Sequence, residues 1–174
     1  YSRIYAACVK ESLNELSYPA RQAGLNYNIR DSYEGILLDV NGYKESAMKL
    51  YELMLDHMVD FTVTNEQFEA IKDKIVRDYE NFSLSDAHQQ TRELSSDVMF
   101  GIKYTWKDAL PIAKESSLKS LKEYSSALYN KTFVEAMVYG DFKETDARKA
   151  VQVFNRKTNT KTIDRAQAFD ISYL

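Results

Sequence analysis

The apolar residues of this 174-residue chain change their spacing several times, and this alternation limits the folds that it can adopt. Spacings of three and four residues, typical of amphipathic helices, give way twice to a spacing of two, typical of half-buried strands. The predicted order is a helix, two strands, about four helices, one strand and a last helix. Because helices and strands are segregated in this order, the chain is predicted to have an α+β fold.

Helical spacing is clearest between residues 47 and 58. The next helix is predicted to begin at Thr64, because Gln67 three residues later completes a capping box. In the opening helix, Pro19 is expected to interrupt the hydrogen bonding, since proline has no backbone donor. Three later helices are predicted to turn these residues inward: Thr91, Leu94 and Val98; Leu118, Leu121 and Leu128; Ala147, Ala150, Val151 and Phe154.

Period-two alternation marks residues 25–30 and 133–139 as strands, and an apolar run that starts at Ile36 marks residues 36–40 as another. The first two are separated by a polar turn and are predicted to pair as an antiparallel hairpin that ends at Asn41-Gly42. Three strands make a thin sheet for so many helices. We therefore expect at least one further strand upstream of Tyr1, and without it either an unfilled sheet edge or a self-association that the parent would not show.

Length and composition predict one globular domain, because 44% of the residues are hydrophobic and 13% are aromatic. Residues 1–154 are assigned to this domain, and the polar residues 155–174 to a linker.

The chain has 23 basic and 26 acidic residues, a balance that argues against binding to nucleic acid or anionic lipid. No apolar run approaches the roughly 20 residues of a membrane span. Cys8 has apolar neighbours and is predicted to be buried rather than reactive; without a disulfide, cytoplasm and periplasm both stay open as compartments.

The two histidines, His57 and His88, lack the partners that a metal site needs. His57 lies opposite the apolar side of its helix and is predicted to be solvated. His88 has Thr91 and Arg92 one turn later, whereas a helical zinc site needs a second ligand there. No catalytic residue, no cofactor-binding residue and no metal ligand is therefore predicted in this chain.

Other chemistry receives little support from the residues. No G-x-S-x-G motif occurs, and the five glycines are too scattered to cradle a phosphate. Carboxylates alternate with lysine and arginine along residues 66–80, a pattern typical of a salt-bridged, solvated helix face. Thirteen tyrosines are an unusual number, and two interpretations stay open for those outside the clear core stripes. They either contact an extended peptide or pack half-buried: Tyr27, Tyr33, Tyr43, Tyr104 and Tyr129.

The stretch from Tyr18 to Tyr27, with Ala20, Ala23, Gly24 and Leu25 in an aromatic-x-Ala-x-x-Ala-Gly-Leu pattern, resembles the insulinase/pitrilysin family of zinc metallopeptidases. Residues 35–43, which end in Gly-Tyr, extend the likeness. The later elements follow the order of the third of the four homologous domains in that family, so the resemblance covers almost the whole chain. Pro19 is a departure, because relatives usually continue a helix there.

The resemblance implies an antiparallel sheet covered on one face by about six helices. It also implies a parent enzyme of two hinged half-shells around a peptide-sized chamber, with this non-catalytic domain in the C-terminal half. In that family an H-x-x-E-H motif and a distant Glu hold zinc in the first domain, and none of these positions exists here. The linker would lead towards the fourth domain.

The resemblance thus predicts part of a zinc metalloendopeptidase that hydrolyses short unfolded peptides. The expected partners are the other domains of the parent chain and a peptide substrate. A second hypothesis is a catalytically inactive homologue that acts as a scaffold or partner subunit. A third is a free-standing helical adaptor without strands.

Overall fold

The computed structural model describes residues 1–32, 35–99 and 105–167. The helices in these ranges are α1 (Ser2–Ser12), α2 (Asn14–Gln22), α3 (Lys44–Val59), α4 (Asn65–Phe82), α5 (Ala87–Met99), α6 (Trp106–Glu115), α7 (Leu118–Leu128) and α8 (Glu144–Thr158). The strands are β1 (Asn26–Ser32), β2 (Gly35–Asn41), β3 (Lys131–Thr132) and β4 (Lys161–Thr162), and a 3-10 turn follows at Arg165–Gln167. The candidate tyrosines Tyr33 and Tyr104 lie outside the described residues.

The predicted hairpin is confirmed. β1 and β2 pair antiparallel, with a register from Asn26 opposite Asn41 to Ser32 opposite Gly35. One face of the pair packs on the core through Tyr27, Ile29, Ile36, Leu38 and Val40. Helix α1 packs against both strands, α2 against β1 and α3 against β2. The α+β class is thereby confirmed, although the described residues contain eight helices rather than about six.

The break in the opening helix falls at Leu13 and not at Pro19, so the predicted interruption was wrong. Leu13 ends α1 with φ −93° and ψ 0°, and Pro19 lies inside α2. The carbonyl of Leu13 accepts a hydrogen bond from the hydroxyl of Tyr27 at 2.9 Å. Leu13 is fully buried and contacts a strand tyrosine where the helix breaks, whereas Pro19 removes one backbone donor without ending α2.

The predicted third strand, residues 133–139, was also wrong as a paired strand. Pairing in this region stops at Lys131 and Thr132, just before the predicted strand. These two residues form a parallel ladder with Lys161 and Thr162. Within the described residues, 133–139 make no backbone hydrogen bond. Met137 and Tyr139 are 91% and 90% exposed. Alternation identifies a segment suited to a sheet, but a strand forms only where a partner lies beside it.

The predicted helix faces are partly confirmed. Thr64 and Gln67 form the capping box at the start of α4. Leu121 of α7 is buried as predicted, whereas in α8 the fully buried residue is Val153 and the predicted Ala147, Ala150, Val151 and Phe154 are half-buried. The prediction that Leu94 and Val98 of α5 face inward was wrong, because their side chains are 65% and 70% exposed. Periodicity finds an apolar stripe on a helix, but it does not identify the element that covers the stripe.

No helix in the described ranges is both long and apolar enough to cross a bilayer.

Helix α8 continues four residues past Phe154, the predicted end of the domain, to Thr158. Asn159 ends it in the left-handed conformation, with φ 50°. The next strand, β4, pairs with β3, so the first residues of the predicted linker are ordered against the domain. The division of the chain into a domain and a linker stays a prediction.

Candidate functional sites

His57 is partly buried rather than solvated, and its Nδ1 atom lies 3.2 Å from Oγ of Ser12. The Ser12 hydroxyl donates its one proton to the carbonyl of Val9 at 2.7 Å. Nδ1 of His57 must therefore donate to Ser12 rather than accept from it. A serine nucleophile needs the reverse arrangement, in which the imidazole takes the hydroxyl proton. The pair joins α1 to α3 and does not activate Ser12.

A surface groove of about 370 Å³ runs past His57 at the end of α3, lined also by Asp56, Val59, Asp60 and Lys157. Nζ of Lys157 contacts both carboxylate oxygens of Asp56, at 2.6 and 2.8 Å. The Asp56 carboxylate is thus neutralised by α8. This contact holds α8 on α3, and it occupies the carboxylate nearest in sequence to His57.

His88 is exposed in the first turn of α5. Among the residues that the structure describes, no group of three or more His, Cys, Asp or Glu side chains could hold a metal ion. Cys8 is fully buried in the core, as predicted, and burial raises the pKa of its thiol to about 12. A thiol with this pKa stays protonated near neutral pH, and it is a poor nucleophile.

The carboxylates of α4 form ion pairs as predicted, but mostly with other helices. Asp78 contacts Arg3 of α1 at 2.9 Å, and Glu80 contacts Lys114 of α6 at 2.7 Å. Within α4, Glu69 and Lys72 are 3.5 Å apart. These pairs tie neighbouring helices together, and their exposure limits each to about 0–1 kcal/mol.

Two of the five candidate tyrosines have packing roles. Tyr27 donates its hydroxyl to Leu13, and Tyr129 is 7% exposed in the core. Tyr43 is 79% exposed at the start of α3 and is the one described candidate that is available to a peptide.

A buried pair of tyrosines in the core was not predicted. The hydroxyl of Tyr5 in α1 hydrogen-bonds both the hydroxyl of Tyr129 and the carbonyl of Met58. Burial raises the pKa of Tyr5, and it raises that of Tyr129 to about 12. The two tyrosines are 124 positions apart, and no local pattern could have paired them. This tyrosine pair fixes α1, the end of α3 and the end of α7 to one another.

Residues 1–111 match the sequence model described as the middle or third domain of peptidase M16. The chain belongs to the peptidase M16 family. Among similar proteins, insulin-degrading enzyme of Homo sapiens is 27% identical over 150 residues, covering 86% of this chain and 15% of that protein. A Schizosaccharomyces pombe protein whose name describes a zinc protease is 23% identical over 166 residues, covering 94% of this chain and 17% of that protein.

The fold of this M16 middle domain matches a solved one. A crystal structure of pitrilysin superposes with a TM-score of 0.78 at 19% identity, covering 90% of this chain and 17% of that chain. The resemblance to the third domain of insulinase/pitrilysin peptidases is confirmed. The chain therefore spans about one sixth of the length of these relatives.

The tyrosine pair of the M16 middle domain leads to a stability prediction. Tyr5→Phe is expected to lower the free energy of unfolding by about 1–3 kcal/mol, because the buried Met58 carbonyl loses its nearer donor. Tyr129→Phe should cost about 0.5–1.5 kcal/mol, because Tyr5 still reaches Met58 while the Tyr129 hydroxyl lies 3.4 Å from that carbonyl. Urea unfolding of both variants and the double variant measures this, and equal costs would contradict the assigned donor.

Proposed function

We propose that this domain forms part of the C-terminal half-shell of a zinc metalloendopeptidase that hydrolyses short unfolded peptides. The match of residues 1–111 to the middle domain of peptidase M16 carries this proposal. The names of the relatives support it, since they describe an insulin-degrading enzyme and a zinc protease. The domain itself contributes wall and packing, and the chamber restricts substrates by size.

The side chains support a non-catalytic role for the domain. His57 is engaged with Ser12, Asp56 with Lys157, and the Cys8 thiol is buried. The first two contacts join helices and the thiol is enclosed in the core, so none of the three groups is free in the way that zinc coordination or nucleophilic attack requires. Zinc, which activates a water molecule for peptide hydrolysis in such enzymes, would be held by the parent's first domain. The partners of this domain would be the remaining domains and the enclosed peptide.

The full-length parent tests the proposal. Zinc content and hydrolysis of a quenched peptide are measured for the natural protein and for His57→Ala and His88→Ala variants. We expect stoichiometric zinc and chelator-sensitive hydrolysis in all three, because neither histidine is assigned a ligand role. Loss of zinc in either variant would place the metal in this domain and contradict the proposal.

A parent without stoichiometric zinc and without hydrolysis would instead support the second hypothesis, a catalytically inactive homologue that acts as a scaffold or partner subunit. An H-x-x-E-H motif upstream in the parent sequence separates the two in advance, because its loss removes two zinc ligands and the general base.

A further inference from the structure

Helix α5 turns its apolar side chains away from the domain. Among the residues of α5 whose side chains the structure describes, none is buried, and the half-buried ones are all polar: Gln90, Glu93 and Ser96. Leu94 and Val98 are instead 65% and 70% exposed. An amphipathic helix normally packs its apolar side on its own domain. The reverse arrangement indicates that the apolar side of α5 contacts a partner beyond the described residues.

The chain on both sides of α5 is held at one place. Phe82 is the last residue of α4 and Trp106 is the first of α6, and their ring centroids lie 5.9 Å apart. Helices α4 and α6 pack against each other, and Glu80 of α4 contacts Lys114 of α6 at 2.7 Å. The chain thus leaves the α4–α6 pair after Phe82 and returns to it at Trp106. Helix α5 lies on the excursion between these two residues, attached to the domain at a fixed base.

The exposed side of α5 has the spacing of a contact between two helices. Ala87, Thr91, Leu94 and Val98 are all exposed, and they follow one another at intervals of four, three and four residues. These four residues are called the α5 stripe. Helices that pack side by side bury residues at this alternating interval. A single helix is convex, whereas small ligands and short peptides bind in concave clefts. The α5 stripe therefore suits another helix better than an extended peptide.

The size of the α5 stripe distinguishes a second copy from the rest of the parent chain. The 13 residues of α5 span about 20 Å. One side of so short a helix offers far less than the roughly 800 Å² per partner of a stable interface. Such a small contact persists where a covalent connection keeps the partner close, because the effective concentration is then high. The chain spans about one sixth of the length of its relatives, so a parent of that length supplies connected partners.

We propose that the α5 stripe packs on a helix of another domain in the same parent chain, so that α5 is a docking element between domains. The two helices would lie side by side, with their axes about 8–10 Å apart. The partner helix is expected to present an apolar stripe with the same three- and four-residue spacing. The proposal rests on the longer parent chain of the proposed function, but not on zinc or on hydrolysis.

Photo-cross-linking in the full-length parent tests this contact. Leu94 or Val98 is replaced, one variant at a time, by the photoreactive amino acid p-benzoylphenylalanine, and cross-linked peptides are identified by mass spectrometry. We expect intrachain cross-links from both positions to one segment outside residues 1–174. The sites reached from the two positions should lie about three or four residues apart, because positions 94 and 98 are one helical turn apart.

Gln89 supplies the matched control. It is exposed on the same helix but lies on the opposite side from the α5 stripe, so the same replacement there should give no cross-link to that segment. Cysteine variants give a second measurement with small side chains: Leu94→Cys, Val98→Cys and Gln89→Cys. We expect a maleimide to label positions 94 and 98 about tenfold or more slowly than position 89, because a docked stripe must open before it reacts.

Four outcomes would overturn the proposal. Equal labelling at all three positions without cross-links would show a free surface, and cross-links to residues within 1–174 would assign the stripe to this domain. Cross-links between two chains, with labelling that becomes faster on dilution, would assign it to a second copy. Cross-links only to an added peptide, with labelling that this peptide slows, would assign it to a substrate. Zinc content and hydrolysis are measured on the same preparations, so failure of the proposed function is seen separately.

Discussion

Replacing Gly42 by alanine is expected to lower the free energy of unfolding by about 2–6 kcal/mol. Gly42 has φ +149°, a conformation that costs an L-residue about 1–3 kcal/mol. A Cβ atom there would lie 2.3 Å from Cδ2 of Leu25, 3.3 Å from its Cα and 3.2 Å from the carbonyl oxygen of Gly24. Leu25 is 8% exposed and held in the core, so this overpacking should add about 1–3 kcal/mol.

Gly35→Ala is the matched control for the contact with Leu25. Gly35 has φ +141°, but a Cβ atom there would have no neighbour within 4 Å among the residues that the structure describes. Its replacement should cost only the backbone strain, about 1–3 kcal/mol. Urea unfolding followed by circular dichroism measures both variants. If Gly42→Ala costs no more than Gly35→Ala, the close packing of Gly42 on Leu25 is wrong.

Raising the pH above 10 is expected to lower the free energy of unfolding steeply. Burial raises the pKa of Tyr51 and Tyr129 to about 12, and it raises that of Tyr5 as well. Between pH 10 and about 12 the folded state keeps these protons, while the unfolded chain releases them. Each such group lowers the stability by about 1.4 kcal/mol per pH unit, or about 4 kcal/mol for three. Cys8 adds a similar decrease from about pH 9, for the same reason.

Tyr51→Phe isolates one of these groups. The hydroxyl of Tyr51 contacts the carbonyl of Ala150 at 3.2 Å, outside the Tyr5–Tyr129 pair. We expect the variant to reduce the slope of stability against pH by about 1.4 kcal/mol per unit above pH 10, and to leave the slope between pH 6 and 8 unchanged. Urea unfolding at intervals of half a pH unit measures both slopes. An unchanged alkaline slope would show that Tyr51 ionises as freely in the folded chain as in the unfolded one.

Local signals in the sequence predicted local structure well. Thr64 and Gln67 are three residues apart and satisfy each other's backbone donors, so the start of α4 needs nothing from the rest of the chain. The alternation around Ile29 and Leu38 likewise specifies a hairpin, because neighbouring segments pair at little entropic cost.

Predictions that depended on distant partners failed. Leu94 has helical spacing and is exposed, and Met137 has strand spacing and no ladder partner among the described residues. The break at Leu13 is accompanied by the hydroxyl of Tyr27, which only the folded chain brings to it. The absence of a catalytic site followed from the isolation of His57 and His88 in sequence, and it stays a prediction for this domain.

The sequence alone was enough to predict the α+β class and the M16 middle domain. The patterns that predicted them are periodicity, capping and the aromatic-x-Ala-x-x-Ala-Gly-Leu stretch, and each involves residues that are close together in the chain. Tertiary structure alone decided which apolar stripes are covered, where the first helix breaks, and that Tyr5 meets Tyr129 across 124 positions. Each of these depends on side chains brought together from distant parts of the sequence, and spacing within one segment contains no information about the partner.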